Sequence, residues 1–225
     1  MTHLKLRREI IATALAMNEL RINRGKSGNV SARIAGGFLV TPSGLAYEAT
    51  KPEDIVAVSL DGSAAGRRVP SSEWRFHRDI YAARPEVMGV VHTHSTFATT
   101  LACLGRGIPA FHYMIAIAGG TDIRCAPYAT FGTQELSNRA ITALKERRAC
   151  LLANHGMIAV GDSPAAALAL AVEVEALAEQ HWRALQIGEP TVLSEAEMAR
   201  VLEKFRTYGR EPERASRAKP RSRAG

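Results

Sequence analysis

The chain has 225 residues, 46% hydrophobic and 23% charged, the usage of a globular protein with one sizeable core. No stretch approaches the roughly 18 consecutive apolar residues of a membrane helix, and the start, MTHLKLRREI, carries charges where a signal peptide has its apolar segment, so a cytoplasmic protein with no membrane partner is expected. The net charge is +7, but residues 210–225 alone hold six Lys/Arg against two Glu, so over half of the excess sits in one tail rather than on a nucleic-acid-binding face, and no nucleic-acid partner is expected.

Residues 1–209 read as a single domain; residues 210–225, without a large apolar side chain, read as a disordered basic tail. The three cysteines, Cys103, Cys125 and Cys150, are odd in number and lack a C-x-x-C pair, which argues against a disulfide framework or thiolate zinc site and leaves them as small core residues.

In chain order, residues 2–24 place Leu6, Ile10, Ile11, Ala14, Leu15 and Met17 at helical spacing, with Thr2 as a cap and Gly25 as a stop. GGFLVTPSG (36–44) and DIVAVSLDG (54–62) are short β-rich runs closed by turn residues, as in hairpins. PSSEWRFHRDIYAARPE (70–86) predicts a helix with a serine-rich entrance and Trp74, His77, Ile80 and Tyr81 on one side. VMGVVHTH (87–94) and ACLLANHGMIAVG (149–161) read as buried strands, the second interrupted by a polar NHG, with a helix between them at 133–149. A long helix follows from Ser163 as cap, with Pro164 at its first position and Gly188 as its stop, and then a last helix with capping-box spacing from Ser194 to Glu197. Hairpin strands mixed with helices predict an α/β fold around a central, mainly antiparallel sheet layered with helices.

Residues two apart in a strand share a face, so His92 and His94 can present both imidazoles to one point. Two exposed histidines at a strand end would look the same. His155 interrupts an apolar run, where a polar insert needs a reason, and a satisfied core histidine is the plain alternative. Glu73 lies at the first turn of the helix after PSS, where a carboxylate is also a routine feature. Taken together, three imidazoles and a carboxylate suit zinc, with manganese or cobalt as substitutes, and a labile fourth position marks a catalytic rather than a structural site. The Ser/Gly clusters SGNVS (27–31), TPSG (41–44) and PSS (70–72) would let backbone N–H groups approach an anion. GKS at 25–27 is not a P-loop, because position 20 is Leu20 rather than glycine.

SGNVSAR, TPSG, PSSEWRFH, VVHTHS, IPAFHYMIAIAGG, APYATFGT, NHGMIAVG and VLEKFRTYG together resemble the class II aldolase/adducin family, in order and from about residue 4 to 209. Within the family the likeness is greatest to the bacterial enzymes that act on L-fuculose phosphate. The resemblance implies a metal-dependent aldehyde-lyase, a homotetramer with sites near subunit interfaces, and zinc held by His92, His94 and His155. Glu73 is implied as the fourth ligand of the substrate-free site and as the acid/base. Gly28, Asn29, Ser43, Gly44, Ser71 and Ser72 are implied to bind a substrate phosphate. Tyr113 is implied as a proton donor contributed by a neighbouring subunit, Tyr208 as a residue that closes over the substrate, and Phe131 and Phe205 as apolar neighbours of the aldehyde. Without the resemblance, Tyr113 and both phenylalanines would be taken as core. Lys26 departs from the family pattern, which has a small hydroxyl residue there; it would either add a charge for phosphate or point to solvent.

The implied reaction is reversible cleavage of a ketose 1-phosphate to dihydroxyacetone phosphate and a short aldehyde. L-Fuculose 1-phosphate, giving L-lactaldehyde, is the first expectation, and 5-deoxyribulose or 5-(methylthio)ribulose 1-phosphate the alternative. A pentulose-phosphate 4-epimerase would need a further aspartate in the segment AGGTDIRC, where Gly120 and Asp122 fit poorly. A non-catalytic adducin-like scaffold would have lost the metal-binding residues.

Overall fold

A computed structural model describes residues 2–207; Tyr208 and the basic tail lie outside them. Helix α1 (Leu4–Glu19) buries Ile10, Thr13, Ala14 and Met17, one stripe at i, i+3, i+4 and i+7. His3 rather than Thr2 is its N-cap, with no side-chain cap bond. The helix ends before Gly25 is reached, because Arg21 adopts the left-handed conformation (φ 60°) and turns the chain.

The strands are β1 (Asn29–Ile34), β2 (Gly37–Val40), β3 (Val56–Ser59), β4 (Ala64–Ala65), β5 (Gly89–Thr93), β6 (Arg124–Ala126), β7 (Ala149–Leu152) and β8 (Gly156–Gly161). They form one sheet in the order β4-β3-β2-β1-β5-β8-β7-β6, antiparallel throughout except for the β6–β7 pair at one edge. The remaining helices are α2 (Trp74–Ala83), α3 (Thr96–Cys103), α4 (Gln134–Ala143), α5 (Pro164–Ile187) and α6 (Glu195–Thr207).

Side-chain alternation along the central strands divides the core in two. Val30, Leu39, Val91, Met157 and Ala159 face one layer with residues of α1, α3 and α5. Phe38, Val40, Val90, Ile158 and Val160 face the other with Phe76, Ile80 and Tyr81 of α2 and Leu136 and Ala140 of α4. The expected α/β fold around a mainly antiparallel sheet is what the chain adopts. No helix among the described residues is long and apolar enough to cross a membrane.

Several local expectations need correction. Residues 149–161 are two strands of a hairpin, with Asn154 and His155 in its turn and Gly156 opening the second strand; apolar runs on both sides hide the reversal in the sequence. Helix α3 was not anticipated, its eight residues being too few to display a period. Of the cysteines only Cys150 is buried; Cys125 is half-buried and Cys103, ending α3, is exposed. The caps at Ser163 and Ser194 are present, their hydroxyls accepting from the amides of Ala166 (3.0 Å) and Glu197 (3.2 Å).

The N-terminus of α3 is capped from another helix. Ser95, the preceding residue, makes no side-chain cap bond; Glu175 of α5 accepts from the amides of Phe97 (2.8 Å) and Ala98 (2.9 Å). A carboxylate there meets both the orphan amides and the positive end of the helix. Because α3 starts just after His94, this contact also fixes where β5 ends. Glu175→Ala is expected to cost about 2 kcal/mol in urea denaturation, the scale of a part-buried hydrogen bond to a charged group; a loss below about 0.5 kcal/mol would show that water replaces the cap.

Candidate metal centre and its cleft

Strand β5 lies between β1 and β8, in a register that places Asn29 opposite His92 and His92 opposite Ile158. Alternation turns Thr93 toward the α1 side, where its hydroxyl donates to the Ile22 carbonyl (2.6 Å), and turns His92 toward α2. His94 follows the end of the strand, and its ring returns to the His92 side, as the two-residue spacing predicts. The β7–β8 turn delivers His155, with Asn154 before it in the left-handed region at φ 55°. A Cβ on Gly156 would lie 2.4 Å from the Thr93 carbonyl oxygen and 2.9 Å from the His94 ring. Glycine there lets the hairpin close on the histidine pair.

Glu73 precedes α2 as its N-cap residue rather than lying in its first turn, and makes no side-chain cap bond. Ser71 does that work, its hydroxyl accepting from the Glu73 amide (3.3 Å) and its carbonyl from the Trp74 amide (3.1 Å). The Glu73 carboxylate, 5% exposed, is thereby free to face the histidines.

These side chains converge. Glu73 Oε2 lies 3.2 Å from His92 Nε2, Glu73 Oε1 lies 3.2 Å from His155 Nε2, and the Nε2 atoms of His92 and His94 are 3.0 Å apart. The three rings stand edge to face around a common point, with centroids 4.8 to 4.9 Å apart. All four ligand atoms fall within 4.8 Å of one another. An ion with bonds of about 2.1 Å spaces tetrahedral ligand atoms about 3.4 Å apart, so the set suits a single divalent cation.

Two details make the fit specific. His92 Nδ1 donates to the Met157 carbonyl (2.9 Å), which leaves the Nε2 lone pair directed at the cluster. Glu73 Oε1 is buried and, although 3.2 Å from His155 Nε2, makes no hydrogen bond, so it has an acceptor site to offer an ion. Burial by itself would raise the Glu73 pKa, but the adjoining His92 and His155 outweigh it and hold the carboxyl well below its ordinary range. Burial, then the neighbouring His92 and His155, push His94 down to about 4, so at neutral pH its ring offers a lone pair.

Glu73, His94 and His155 open onto a cleft of about 330 Å³, walled also by Ser27, Ser72, Tyr128, Phe131 and Asn154. The three Ser/Gly loops meet beside it. Lys26 Nζ donates to the Gly44 carbonyl (2.8 Å), tying the 26–29 loop to the 43–44 loop, and the amides of Ser43 and Ser71 donate to Val69 and Thr41 (3.0 Å each), tying the latter to the 69–72 loop. Gly28 is required for another reason too: a Cβ there would lie 2.5 Å from the His92 carbonyl oxygen. The Asn29 side chain is committed inside the protein, its amide donating to Glu73 Oε2 (2.9 Å) and its oxygen facing His77 Nε2 (2.5 Å).

Tyr113 and Phe205 line a different cleft with Met114, Arg200 and Val201, which holds none of the cluster residues. Tyr113 is 51% and Phe131 65% exposed, so neither is the core residue its type alone would suggest. Tyr208 lies outside the described residues. Two features escaped the sequence. Tyr128 is an exposed aromatic of the cleft in a loop without periodicity. His77, placed with the apolar face of its helix, joins a buried polar chain: its Nδ1 is 2.7 Å from Ser31 Oγ, which is 2.8 Å from the Tyr81 hydroxyl. Burial, then nearby His92, push His77 down to about 3 and keep its ring neutral.

The profile of the Class II Aldolase and Adducin N-terminal domain matches residues 8–182. The chain is 58% identical over 208 residues to the 5-methylthioribulose-1-phosphate/5-deoxyribulose-1-phosphate aldolase of Rhodospirillum rubrum, covering 92% of this chain and 94% of that protein. It is 50% identical over 206 residues to the L-fuculose phosphate aldolase of Escherichia coli K12, covering 91% and 96%. A solved structure of an L-fuculose 1-phosphate aldolase superposes with a TM-score of 0.87 at 40% identity, covering 90% of this chain and 96% of that one.

The stripped protein is expected to bind about one divalent ion per chain in calorimetric titration. His94→Ala should weaken that binding by more than about 100-fold, above the 10- to 100-fold scale of losing an outer-layer partner. Undiminished binding by His94→Ala would place the ion elsewhere.

Proposed function

The chain belongs to the class II aldolase and adducin family, and from that premise we propose that it cleaves 5-deoxypentulose 1-phosphates, 5-(methylthio)ribulose or 5-deoxyribulose 1-phosphate, to dihydroxyacetone phosphate and a short, weakly polar aldehyde. The observation that carries this reading is the meeting of Glu73, His92, His94 and His155 at the floor of a cleft whose outer wall is aromatic, Tyr128 and Phe131. An alkyl or thioether end gains from such a wall, whereas the extra hydroxyl of L-lactaldehyde does not. The relative named for the two pentulose phosphates is also more similar to this chain than the L-fuculose phosphate relative. L-Fuculose 1-phosphate, first in the reading of the sequence, thus becomes the second reading.

His92, His94 and His155, with Glu73 in the resting site, are the residues that would hold the ion, zinc by the chemistry of the donor set with manganese or cobalt as substitutes. Such an ion supplies Lewis-acid polarisation of the ketone, which lets the bond between C3 and C4 break without a Schiff-base lysine. In the direction of synthesis Glu73 takes the proton from the hydroxymethyl carbon of dihydroxyacetone phosphate; in cleavage it returns that proton to C3. Its depressed pKa keeps it ionised, and the unbonded Oε1 is the oxygen available for the transfer. The phosphate belongs among the three loops at 26–29, 43–44 and 69–72, where Gly28, Ser43, Gly44, Ser71 and Ser72 position it together with the backbone of Asn29, whose side chain stays on Glu73 and His77, and Lys26 adds a charge. That anchoring offsets the entropy of aligning the reacting end.

Tyr113 lies outside the cleft of its own chain, which supports its role as a proton donor to the aldehyde oxygen in a neighbouring copy, and hence a homotetramer with sites near its interfaces. Tyr208 would close over the substrate, Phe131 would contact the aldehyde within its own chain's cleft, and Phe205, which shares the Tyr113 cleft, would do so in a neighbouring copy. Epimerisation is disfavoured by the segment where it would need a free aspartate. The Asp122 carboxylate is bound by Arg147 at 2.6 and 2.7 Å, and that guanidinium lies over Gly120, so a side chain at position 120 would have to displace it.

A coupled assay for released dihydroxyacetone phosphate tests the reading. The two 5-deoxypentulose 1-phosphates should be cleaved with kcat/KM at least about tenfold above L-fuculose 1-phosphate, the worth of a misplaced polar group in an apolar pocket. Faster cleavage of L-fuculose 1-phosphate would reverse the order, and epimerisation of a pentulose 5-phosphate without cleavage would overturn the aldolase assignment. Glu73→Gln should keep the ion yet lose about 10²- to 10⁴-fold in kcat, the range of general acid–base catalysis.

A further inference from the structure

Between β1 and α2 runs a polar stripe in an otherwise apolar contact. Glu73, His77 and Tyr81 recur every four residues along the line leading into and through α2, about 6 Å per step, and Asn29 and Ser31 are two apart on β1, about 6.6 Å. The matching rises let the two rows interleave. Asn29, Ser31, His77 and Tyr81 are all 3% exposed or less, so no bulk water relieves a mispaired group.

Elementary donor and acceptor rules then allow one arrangement. An ionised carboxylate only accepts, so the amide edge 2.9 Å from Glu73 Oε2 must be Nδ2 of Asn29. Its Oδ1 therefore faces His77 and only accepts, so His77 Nε2 carries the ring hydrogen. A neutral ring has only a lone pair at Nδ1, so Ser31 Oγ donates there, and the Tyr81 hydroxyl donates to Ser31. Reversing any link would face two donors or two acceptors across a buried gap. The polarity runs from Tyr81 to one oxygen of Glu73 and stops there, leaving the other oxygen without a hydrogen bond.

We propose that His77 is a positioning residue for Glu73: through Asn29 it anchors Oε2, so that Oε1 alone swings between the ion and the substrate. This rests on the reading of Glu73 as ligand and acid/base given above. The chain separates two jobs that a symmetric carboxylate would share, one oxygen serving as pivot and the other as proton carrier.

His77→Phe preserves ring volume and removes the hydrogen that holds the Asn29 amide. It should lower kcat about 10- to 100-fold with KM for the ketose 1-phosphate within about twofold of wild type, and weaken zinc binding measured without substrate by about tenfold. His77→Gln, which restores an N–H toward Asn29, should recover most of both. A folded His77→Phe protein with wild-type kcat and zinc affinity, or one altered only in KM, would overturn the proposal. Should His77→Phe fail to fold, Ser31→Ala, which frees the ring to reverse its tautomer, should lower kcat about tenfold, and an unchanged kcat would overturn it equally. Zinc affinity needs no substrate, so it reads the positioning even where no ketose phosphate is cleaved; inactivity of the wild type on every substrate would count against the aldolase reading alone.

Discussion

A carboxylate held out of water between imidazoles is the contact on which the rest of the molecule depends. Removing such a charge from solvent is costly unless it is paired and hydrogen-bonded. Asn29 on β1 donates to Glu73 Oε2, and His92 on β5 and His155 in the β7–β8 turn each stand 3.2 Å from one of its oxygens. A divalent cation would supply the largest share of the compensation, and the four donor atoms, all within 4.8 Å of one another, are placed so that a single ion could reach them. The centre of the sheet, with β1, β5 and β8 adjacent and antiparallel, is the arrangement that delivers these partners to one point.

Much of this was legible in the sequence, and what was not has identifiable reasons. The pair His92 and His94 could be read because strand alternation is local and has period two. The caps at Ser163 and Ser194 were legible because a cap is likewise local, its hydroxyl reaching an amide three residues on. His155 was recognised but placed inside a strand, since the turn that carries it has apolar neighbours on both sides and its reversal shows only in the left-handed Asn154 and the close approach of Gly156. The spacing of Glu73, His77 and Tyr81 was on the page, yet its meaning depends on Asn29 and Ser31, more than forty residues earlier in the chain. No periodicity reports a partner that distant. The exposure of Tyr113 and Phe131 was likewise invisible, because residue type alone favours burial for both.

The site divides its tasks by element. The histidines sit on a strand and at strand ends and Glu73 at the start of α2, where small displacements are costly, and the aromatic wall comes from the segment after β6 that carries Tyr128 and Phe131. Proteins commonly separate a rigid reacting centre from loops that select among substrates. The relatives of this chain, alike in length and named for sugar phosphates that differ at the end remote from the phosphate, are consistent with that separation.

The register of β1 against β5 also bears on how such a protein can diverge. Inserting or deleting one residue in β1 would send Asn29 and Ser31 to the opposite face of the sheet and bring Val30 to the carboxylate. A single-residue length change in that strand is therefore costly to this cluster, and the connections between strands are where length can vary more freely.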